Sequence, residues 1–210
     1  MNKEKPNFDR FDNRLAMVYS TTTNKEQQYD EWAHQYDSDL VDDMGYVAHK
    51  DAGEIFIDLV PDRALSILDV ACGTGLAGQY LQQNGYENLH GVDLSTEMMK
   101  IANDRKIYRS TWQHDFTKPV KLDNLYDALI CVGMFSYAIP KISDMYNVVN
   151  CVKPGAICVI TVNGAAWNDL NLEAEVYKEA KLHEFQINAI HSAGYIEREG
   201  IDCKVLIISR

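Results

Sequence analysis

The sequence predicts an α/β protein in which helices cover both faces of a parallel sheet. Short apolar runs, predicted as strands, alternate with segments of helical periodicity. The strands are predicted near 66–70, 89–93, 109–114, 126–132 and 156–162, and the helices near 76–84, 96–104, 142–151 and 173–192. This alternation is typical of consecutive βαβ units. With 210 residues, 46% of them hydrophobic, the chain can bury a sizeable core.

The first predicted strand runs directly into a glycine-rich turn. It contains Asp69 and is followed by Gly73 and Gly75. Glycines in this position let the chain turn tightly and let a ligand approach the main chain. A turn whose glycines serve backbone geometry alone is the alternative.

The second predicted strand favours ligand binding. It ends at Asp93, 20 positions after Gly73, a distance that fits one right-handed βαβ unit. The Asp93 carboxylate is predicted to bind both ribose hydroxyls of an adenosine. Ser95 is predicted to cap the next helix.

The same turn, extended to Gly78, satisfies the dinucleotide pattern G-x-G-x-x-G. The glycines alone therefore do not decide which adenosine-containing ligand binds. Asp69 suits an amino-acid ammonium better than an anionic pyrophosphate. The turn lies more than 60 residues into the chain, and a third strand ends at Asp115 and Phe116, which suit an adenine amine and ring. These observations favour S-adenosylmethionine over a nicotinamide or flavin dinucleotide.

Four segments in order, 68–75, 91–99, 126–131 and 152–156, resemble the motifs of the class I S-adenosylmethionine-dependent methyltransferases. The likeness runs from about residue 25 to the C-terminus. Residues 29–37 and 45–48 are most similar to the methyltransferase-like protein 27 subgroup, which usually has Pro where this chain has His49.

The resemblance implies a Rossmann-like, doubly wound sheet that is mostly parallel with an antiparallel C-terminal strand, plus an N-terminal helical cap. Residues 195–199 and 204–209 would close the sheet as a hairpin around Gly200. The implied divisions are a flexible arm over 1–24, the cap over 25–60 and the cofactor-binding domain over 61–210. The predicted cofactor-binding residues are Tyr29, Tyr36, Asp69, Ala71, Gly73, Gly75, Asp93, Leu94, Met98, Asp115, Phe116 and Cys131.

Three aromatic residues of the cap share one predicted helix face: Tyr29, Trp32 and Tyr36. Such a stripe can pack into the core, or it can close over the cofactor, with Tyr36 and Tyr46 near the sulfonium or carboxylate end. Both interpretations stay open at this point.

The predicted reaction is in-line transfer of a methyl group to a small-molecule or protein acceptor. Candidate bases are His34, His49, Tyr137 and Asp37, but none has a diagnostic partner, so no catalytic residue is assigned. The acceptor pocket is expected from Phe135, Ser136, Tyr137 and the loop around Trp167. An open pocket there would favour an enzyme, and a filled one would favour a catalytically silent S-adenosylmethionine-binding subunit.

Composition limits the partners. The formal net charge is −11 and no Lys/Arg cluster is present, which argues against nucleic acid. No run approaches the roughly 20 apolar residues that span a bilayer, and no secretory signal is visible, so a cytoplasmic location without membrane contact is expected. The five cysteines are scattered, and most of them are predicted to be small buried residues. Neither they nor the histidines have metal-ligand spacing, so no metal is predicted.

Overall fold

The computed structural model describes residues 12–19 and 24–210. Seven strands form one sheet. They are β1 (Ile67–Val70), β2 (Leu89–Asp93), β3 (Ser110–Gln113), β4 (Tyr126–Phe135), β5 (Val152–Asn163), β6 (Gln186–Ile196) and β7 (Ile201–Ser209). Eight α-helices accompany them in the described residues: α1 (Asn13–Tyr19), α2 (Lys25–Trp32), α3 (Ala48–Leu59), α4 (Leu76–Gln83), α5 (Thr96–Asp104), α6 (Met145–Val149), α7 (Gly164–Leu170) and α8 (Leu172–His183).

The strand order is β3-β2-β1-β4-β5-β7-β6. Strands β1 to β5 are parallel, and β7 lies antiparallel between β5 and β6. All four residues of β1 are buried, as expected for a central strand covered on both faces. The predicted fold class, including the antiparallel C-terminal strand, is confirmed.

The first two βαβ units follow the predicted boundaries closely. Helix α5 begins after Ser95, whose Oγ accepts a hydrogen bond from the backbone N–H of Met98 at 3.1 Å, so the predicted cap is confirmed. Asn24 caps α2 in the same way by accepting from Gln27 N at 3.2 Å. Apolar periodicity and capping residues therefore fixed these helices locally.

The C-terminal part differs from the prediction of one helix over 173–192. Helix α8 ends at His183, and residues 186–196 form β6. Glu184 adopts a left-handed conformation (φ 58°), and Phe185 turns into the core, 5% exposed. No Gly or Pro marks this helix end, so it could not be predicted from local sequence signals. The hairpin turn itself lies where it was predicted, with Gly200 at φ 62°.

The N-terminal segment also differs in part from the predicted flexible arm. Residues 13–19 form α1, and Leu15 and Tyr19 are each 3% exposed. Arg14 of α1 forms an ion pair with Asp39, which lies in a π-helical turn over Ser38–Asp43. The remainder of the predicted arm lies outside the described residues.

All five cysteines are free and buried, which confirms the prediction that most of them are buried. Among residues 12–19 and 24–210, no helix combines the length and apolar character needed to cross a membrane.

Candidate functional site

A cavity of about 260 Å³ opens at the carboxyl ends of the central strands. In the sheet order, β1 neighbours β4 on one side and β2 on the other, so the strand order reverses beside β1. Parallel α/β sheets bind ligands in the crevice at such a reversal. We call this space the main cavity. Its walls are Asn24, Lys25, Glu26, Tyr29, Tyr36, Ala71, Gly73, Asp93, Leu94, Met98, His114, Asp115, Phe116, Thr117, Val132, Gly133, Met134, Ile139 and Pro140.

Nine of the twelve predicted cofactor-binding residues line the main cavity. They are Tyr29, Tyr36, Ala71, Gly73, Asp93, Leu94, Met98, Asp115 and Phe116. The other three, Asp69, Gly75 and Cys131, do not. Cys131 is fully buried in β4, and the next three residues of that strand supply the wall instead.

Asp93 holds the glycine-rich turn in place. Its Oδ2 accepts a hydrogen bond from Gly73 N and its Oδ1 accepts one from Ser95 N, both at 2.8 Å. Burial raises the pKa of this carboxyl above its usual value, against the lowering effect of these backbone N–H donors. A carboxylate has about four lone-pair sites, so Asp93 can still accept hydrogen bonds from two hydroxyl groups.

Asp115 and Phe116 close the side of the cavity next to β3. Asp115 Oδ1 accepts from Thr117 N and Oγ1 at 3.0 and 2.7 Å, and its Oδ2 pairs with Lys118 at 2.9 Å. Partial burial opposes ionisation of Asp115, but these contacts outweigh it and lower its pKa. Phe116 is 4% exposed and packs edge-on against the His114 ring at 4.9 Å.

Asp69 lies behind the glycine-rich turn and outside the main cavity. It is 1% exposed, and its Oδ2 accepts a hydrogen bond from the Tyr108 hydroxyl at 2.5 Å. Burial raises the pKa of Asp69 to about 7, although bonds from Tyr108 and the Gly78 backbone act in the opposite direction. Asp69 is therefore already partnered within the protein.

Tyr108 explains the third glycine of the G-x-G-x-x-G pattern. An ideal Cβ on Gly78 would lie 2.3 Å from the Tyr108 hydroxyl oxygen, and one on Gly91 would lie 3.1 Å from the same ring. A Cβ on Gly75, which caps α4 at φ 94°, would meet Ile107 at 2.6 Å. These glycines make room for side chains that follow α5. Sequence reasoning missed Tyr108, because no local pattern relates it to the turn.

The aromatic stripe of the cap divides between the core and the cavity. Trp32 is 8% exposed and donates from Nε1 to Asp39 at 2.6 Å, as core packing requires. Tyr29 and Tyr36 line the main cavity, with Tyr36 edge-on to Trp32 at 4.8 Å. Burial raises the pKa of Tyr29 to about 12, so its hydroxyl stays neutral.

Acidic residues of the cap attach it to the loops around the cavity. Asp30 Oδ1 accepts from the Ser95 hydroxyl, and Asp37 Oδ1 accepts from the Thr74 hydroxyl, both at 2.5 Å. Asp37 also forms an ion pair with Arg105 at the end of α5. The cap thus contacts the turn after β1 and the turn after β2 directly.

The far wall of the main cavity comes from the end of β4 and the loop that follows it. Val132, Gly133, Met134, Ile139 and Pro140 form this mostly apolar surface. The expected acceptor-pocket residues do not: Phe135, Tyr137 and Trp167 are 1%, 3% and 7% exposed within the core. Ser136 lines a separate cavity of about 220 Å³ with Phe135, Lys141, Ile142, Leu170, Leu172 and Glu175.

None of the four candidate bases lines the main cavity. The Tyr137 hydroxyl donates to Asp169 at 2.6 Å, and Asp37 is engaged by Thr74 and Arg105. His34 is exposed. His49 lines a smaller space of about 30 Å³, the inner cavity, bounded by Tyr36, Tyr46, His49, Asp69, Ala71, Cys72, Gly73, Thr74, Leu76, Ala77 and Val132.

Comparisons with known proteins agree with this geometry. Residues 67–155 match the family model described as a methyltransferase domain. The chain is 32% identical over 182 residues to human methyltransferase-like protein 27, an alignment that covers 80% of this chain and 66% of that protein. The chain thus spans slightly less than two thirds of that relative's length and a smaller share of the other curated relatives.

Solved structures share the fold at low sequence identity. An S-adenosylmethionine-dependent methyltransferase from Clostridium acetobutylicum superposes with a TM-score of 0.64 at 17% identity, covering 86% of this chain and 98% of that one. Magnesium protoporphyrin IX methyltransferase from Synechocystis, solved with bound S-adenosylhomocysteine, gives 0.57 at 16% identity over 94% and 93% of the two chains. Residues 67–155 thus form a methyltransferase domain, and the fold of the chain is the fold of S-adenosylmethionine-dependent methyltransferases.

Proposed function

We propose that this protein binds S-adenosylmethionine in the main cavity and transfers its methyl group to a small-molecule acceptor. The observation that carries the proposal is the convergence of nine predicted cofactor-binding residues on one cavity at the strand-order reversal. The same cavity extends to an apolar wall beyond them, formed by the end of β4 and its loop. It therefore offers surfaces both for a nucleoside and for a second molecule.

The adenosine is assigned to the β2–β3 side of the main cavity. Asp93 supplies a carboxylate for the ribose hydroxyls, and Asp115 offers acceptor oxygens for the adenine amine. Phe116, Leu94 and Met98 supply apolar surface for the base. Tyr29 and Tyr36 present aromatic rings, which attract a sulfonium cation.

The acceptor is assigned to the side formed by Val132, Met134 and Ile139. A methyl group on a sulfonium is already electrophilic, so the protein must mainly hold a nucleophile in line about 3 Å away. The four candidate bases lie outside the main cavity, and His114, which lines it, packs against Phe116 on the adenosine side. We infer that the acceptor atom reacts in a form that needs no deprotonation by the protein. Neutral amines, thiolates and phenolates meet this condition.

A silent cofactor-binding subunit remains the alternative function, and a protein side chain is the alternative acceptor. The pocket expected at Phe135, Tyr137 and Trp167 is filled by these side chains, which by itself favours the silent subunit. The main cavity offers a different apolar side, at Val132, Met134 and Ile139, and this open space supports an enzyme.

Calorimetry and a transfer assay test the proposal. S-adenosylhomocysteine is expected to bind with micromolar affinity, about −7 to −9 kcal/mol, and NAD much more weakly. Purified protein should then release S-adenosylhomocysteine from S-adenosylmethionine when offered a panel of small amines, thiols and phenols. Tight NAD binding without a response to S-adenosylhomocysteine would contradict the cofactor assignment. Cofactor binding with no turnover on any acceptor, including protein extracts, would favour the silent subunit.

A further inference from the structure

Two tyrosine hydroxyls lie close together beside the end of β4, and neither has a hydrogen-bond partner in the part of the chain that the structure describes. They belong to Tyr46 of the cap and Tyr195 of β6, which are 7% and 6% exposed and whose rings meet edge-on with centroids 5.4 Å apart. Among the described residues, the fully covered polar side-chain atoms that lack a partner are His49 Nδ1 and Arg105 Nη1. Both tyrosine oxygens therefore reach open space.

This open space lies at Gly133, a residue of the main-cavity wall. A Cβ on Gly133 would lie 3.2 Å from the Tyr46 hydroxyl oxygen and 3.6 Å from that of Tyr195. The N–H of Gly133 donates to Thr161 Oγ1 at 2.8 Å, which holds this part of the wall in place. Because Gly133 has no side chain, the two hydroxyls face a gap in the wall of the main cavity. Buried hydroxyls are rarely left unpaired, so the gap indicates a missing ligand group.

Two further tyrosine rings lie next to this pair. Tyr29 and Tyr36 line the main cavity with ring centroids 6.3 Å apart, and Tyr36 also borders the inner cavity together with Tyr46. We call Tyr29, Tyr36, Tyr46 and Tyr195 the tyrosine cluster. Burial raises the pKa of Tyr46 and Tyr195 well above the usual value, so both phenols are neutral and their oxygens can accept hydrogen bonds.

The charges around the tyrosine cluster suit a nitrogen that becomes positive. After burial, the groups that raise the pKa of Tyr46 are acids, Cys203 and Asp69 among them. Lys25 of the main-cavity wall lies on the other side, because its neighbour Glu26 accepts a hydrogen bond from Gln113 of β3 at 2.7 Å. Aromatic faces attract cations, and a net charge of −11 favours their approach.

We propose that the methyl acceptor is a primary amine and that the hydroxyls of Tyr46 and Tyr195 each accept a hydrogen bond from its nitrogen, an inference that rests on the proposed function. The two N–H groups are then held by the protein, and the nitrogen lone pair is left for the methyl carbon. The C–N bond forms as the C–S bond breaks, and the positive charge passes from sulfur to nitrogen. No proton has to leave before attack, and the product departs as an ammonium ion. Tyr46 and Tyr195 thereby position the acceptor and determine its class.

The test uses three analogues of S-adenosylhomocysteine that have nitrogen in place of sulfur. This nitrogen carries an aminoethyl, a propyl or a carboxymethyl arm where the cofactor carries its methyl group. In calorimetry, wild type is expected to bind the aminoethyl analogue at least about tenfold more tightly than either of the others, as for hydrogen bonds to a charged group.

The variants remove only the two hydroxyls. The double substitution Tyr46→Phe and Tyr195→Phe is expected to reduce the preference for the aminoethyl arm over the propyl arm to about threefold or less, and to leave the affinity for the propyl analogue within about twofold. Tyr177→Phe on α8, whose side chain is exposed, is the matched control. If the double variant does not fold, the two single variants decide, each with about a threefold loss of preference.

Each other outcome has a definite meaning. Equal binding of the aminoethyl and propyl analogues by wild type, or a preference for the carboxymethyl arm, would contradict an amine acceptor. An unchanged preference in the folded variants would show that these hydroxyls do not recognise the nitrogen. If S-adenosylhomocysteine binds but no analogue does, the space beside Gly133 does not receive an acceptor and the inference is wrong. If wild type does not bind S-adenosylhomocysteine either, the proposed function itself fails.

Discussion

Three aspartates lie at or near the carboxyl ends of β1, β2 and β3, and each carboxylate has a different environment. Asp69 is 1% exposed and bonded to Tyr108, Asp93 accepts two backbone N–H groups, and Asp115 pairs with Lys118. Burial raises the pKa of Asp69 and of Asp93, whereas polar contacts lower that of Asp115. At the residue scale, similar sequence positions thus acquire different chemistry.

Asp93→Ala is expected to weaken S-adenosylhomocysteine binding by about 1.5–3 kcal/mol, because charged hydrogen bonds to the ribose are lost. It should also lower the free energy of unfolding by about 1 kcal/mol, since Gly73 N and Ser95 N lose their acceptor. Calorimetry and urea unfolding measure the two effects. Asp104→Ala, at the exposed end of α5, is the matched control. Normal binding by Asp93→Ala would show that the ribose does not bind at Asp93.

Asp69 makes stability fall as pH rises. Its pKa is about 7 in the folded state against an ordinary value of 3.8, so between these values the folded state holds a proton that the unfolded chain has lost. This contribution is fully present below about pH 4 and disappears as pH passes about 7. Between pH 5.5 and 8, the unfolding free energy of wild type should therefore fall by about 1–2 kcal/mol more than that of Asp69→Asn. Parallel urea-unfolding curves for the two proteins across this range would contradict the assignment.

At the scale of elements, the contact between α4 and the segment after α5 depends on small residues. Gly78 of α4 and Gly91 of β2 leave space for the Tyr108 ring, which reaches Asp69 in β1. One side chain therefore connects a helix and two strands beneath the glycine-rich turn. This packing gives a structural role to a glycine that a motif search would assign to a phosphate.

Gly78→Ala is expected to lower the unfolding free energy by about 1–3 kcal/mol, because the new methyl group would overlap Tyr108. In a Tyr108→Ala background the same change should become neutral or stabilising by about 0.5–1 kcal/mol, since Ala is the better helix former. A double-mutant cycle with urea unfolding measures this reversal. An equal cost in both backgrounds would show that Tyr108 is not the cause.

At the scale of the whole molecule, the cap and the sheet meet around the main cavity. Tyr29 and Tyr36 supply cavity wall, while Asp30 and Asp37 bond to the loops after β2 and β1. Ligand in the main cavity would add contacts on both sides of this junction. The cap and the cofactor should accordingly stabilise each other.

Amide exchange tests this coupling. We expect residues 25–47 to exchange faster than β1 and β4 without ligand, and to slow markedly with S-adenosylhomocysteine. Asp37→Asn, which weakens the bonds to Thr74 and Arg105, should speed exchange of the cap without ligand. Cap protection that is already high and does not respond to ligand would show that the aromatic stripe is ordinary core.

The sequence by itself determined the sheet class, the methyltransferase motifs and nine of the residues that line the main cavity. Short apolar runs and turns are local signals, and they located the strand ends together with Gly73, Asp93, Asp115 and Phe116. It did not determine where α8 stops, since Glu184 enters a left-handed conformation without Gly or Pro.

Only the tertiary structure decided which of the predicted side chains reach the main cavity. Asp69 turns to Tyr108, 39 residues away, and Trp32 enters the core while its neighbours Tyr29 and Tyr36 do not. The inner cavity likewise joins α3, β1 and the end of β4, whose residues are far apart in the chain. Such contacts follow from packing between distant segments, and periodicity and spacing report only on near neighbours in sequence.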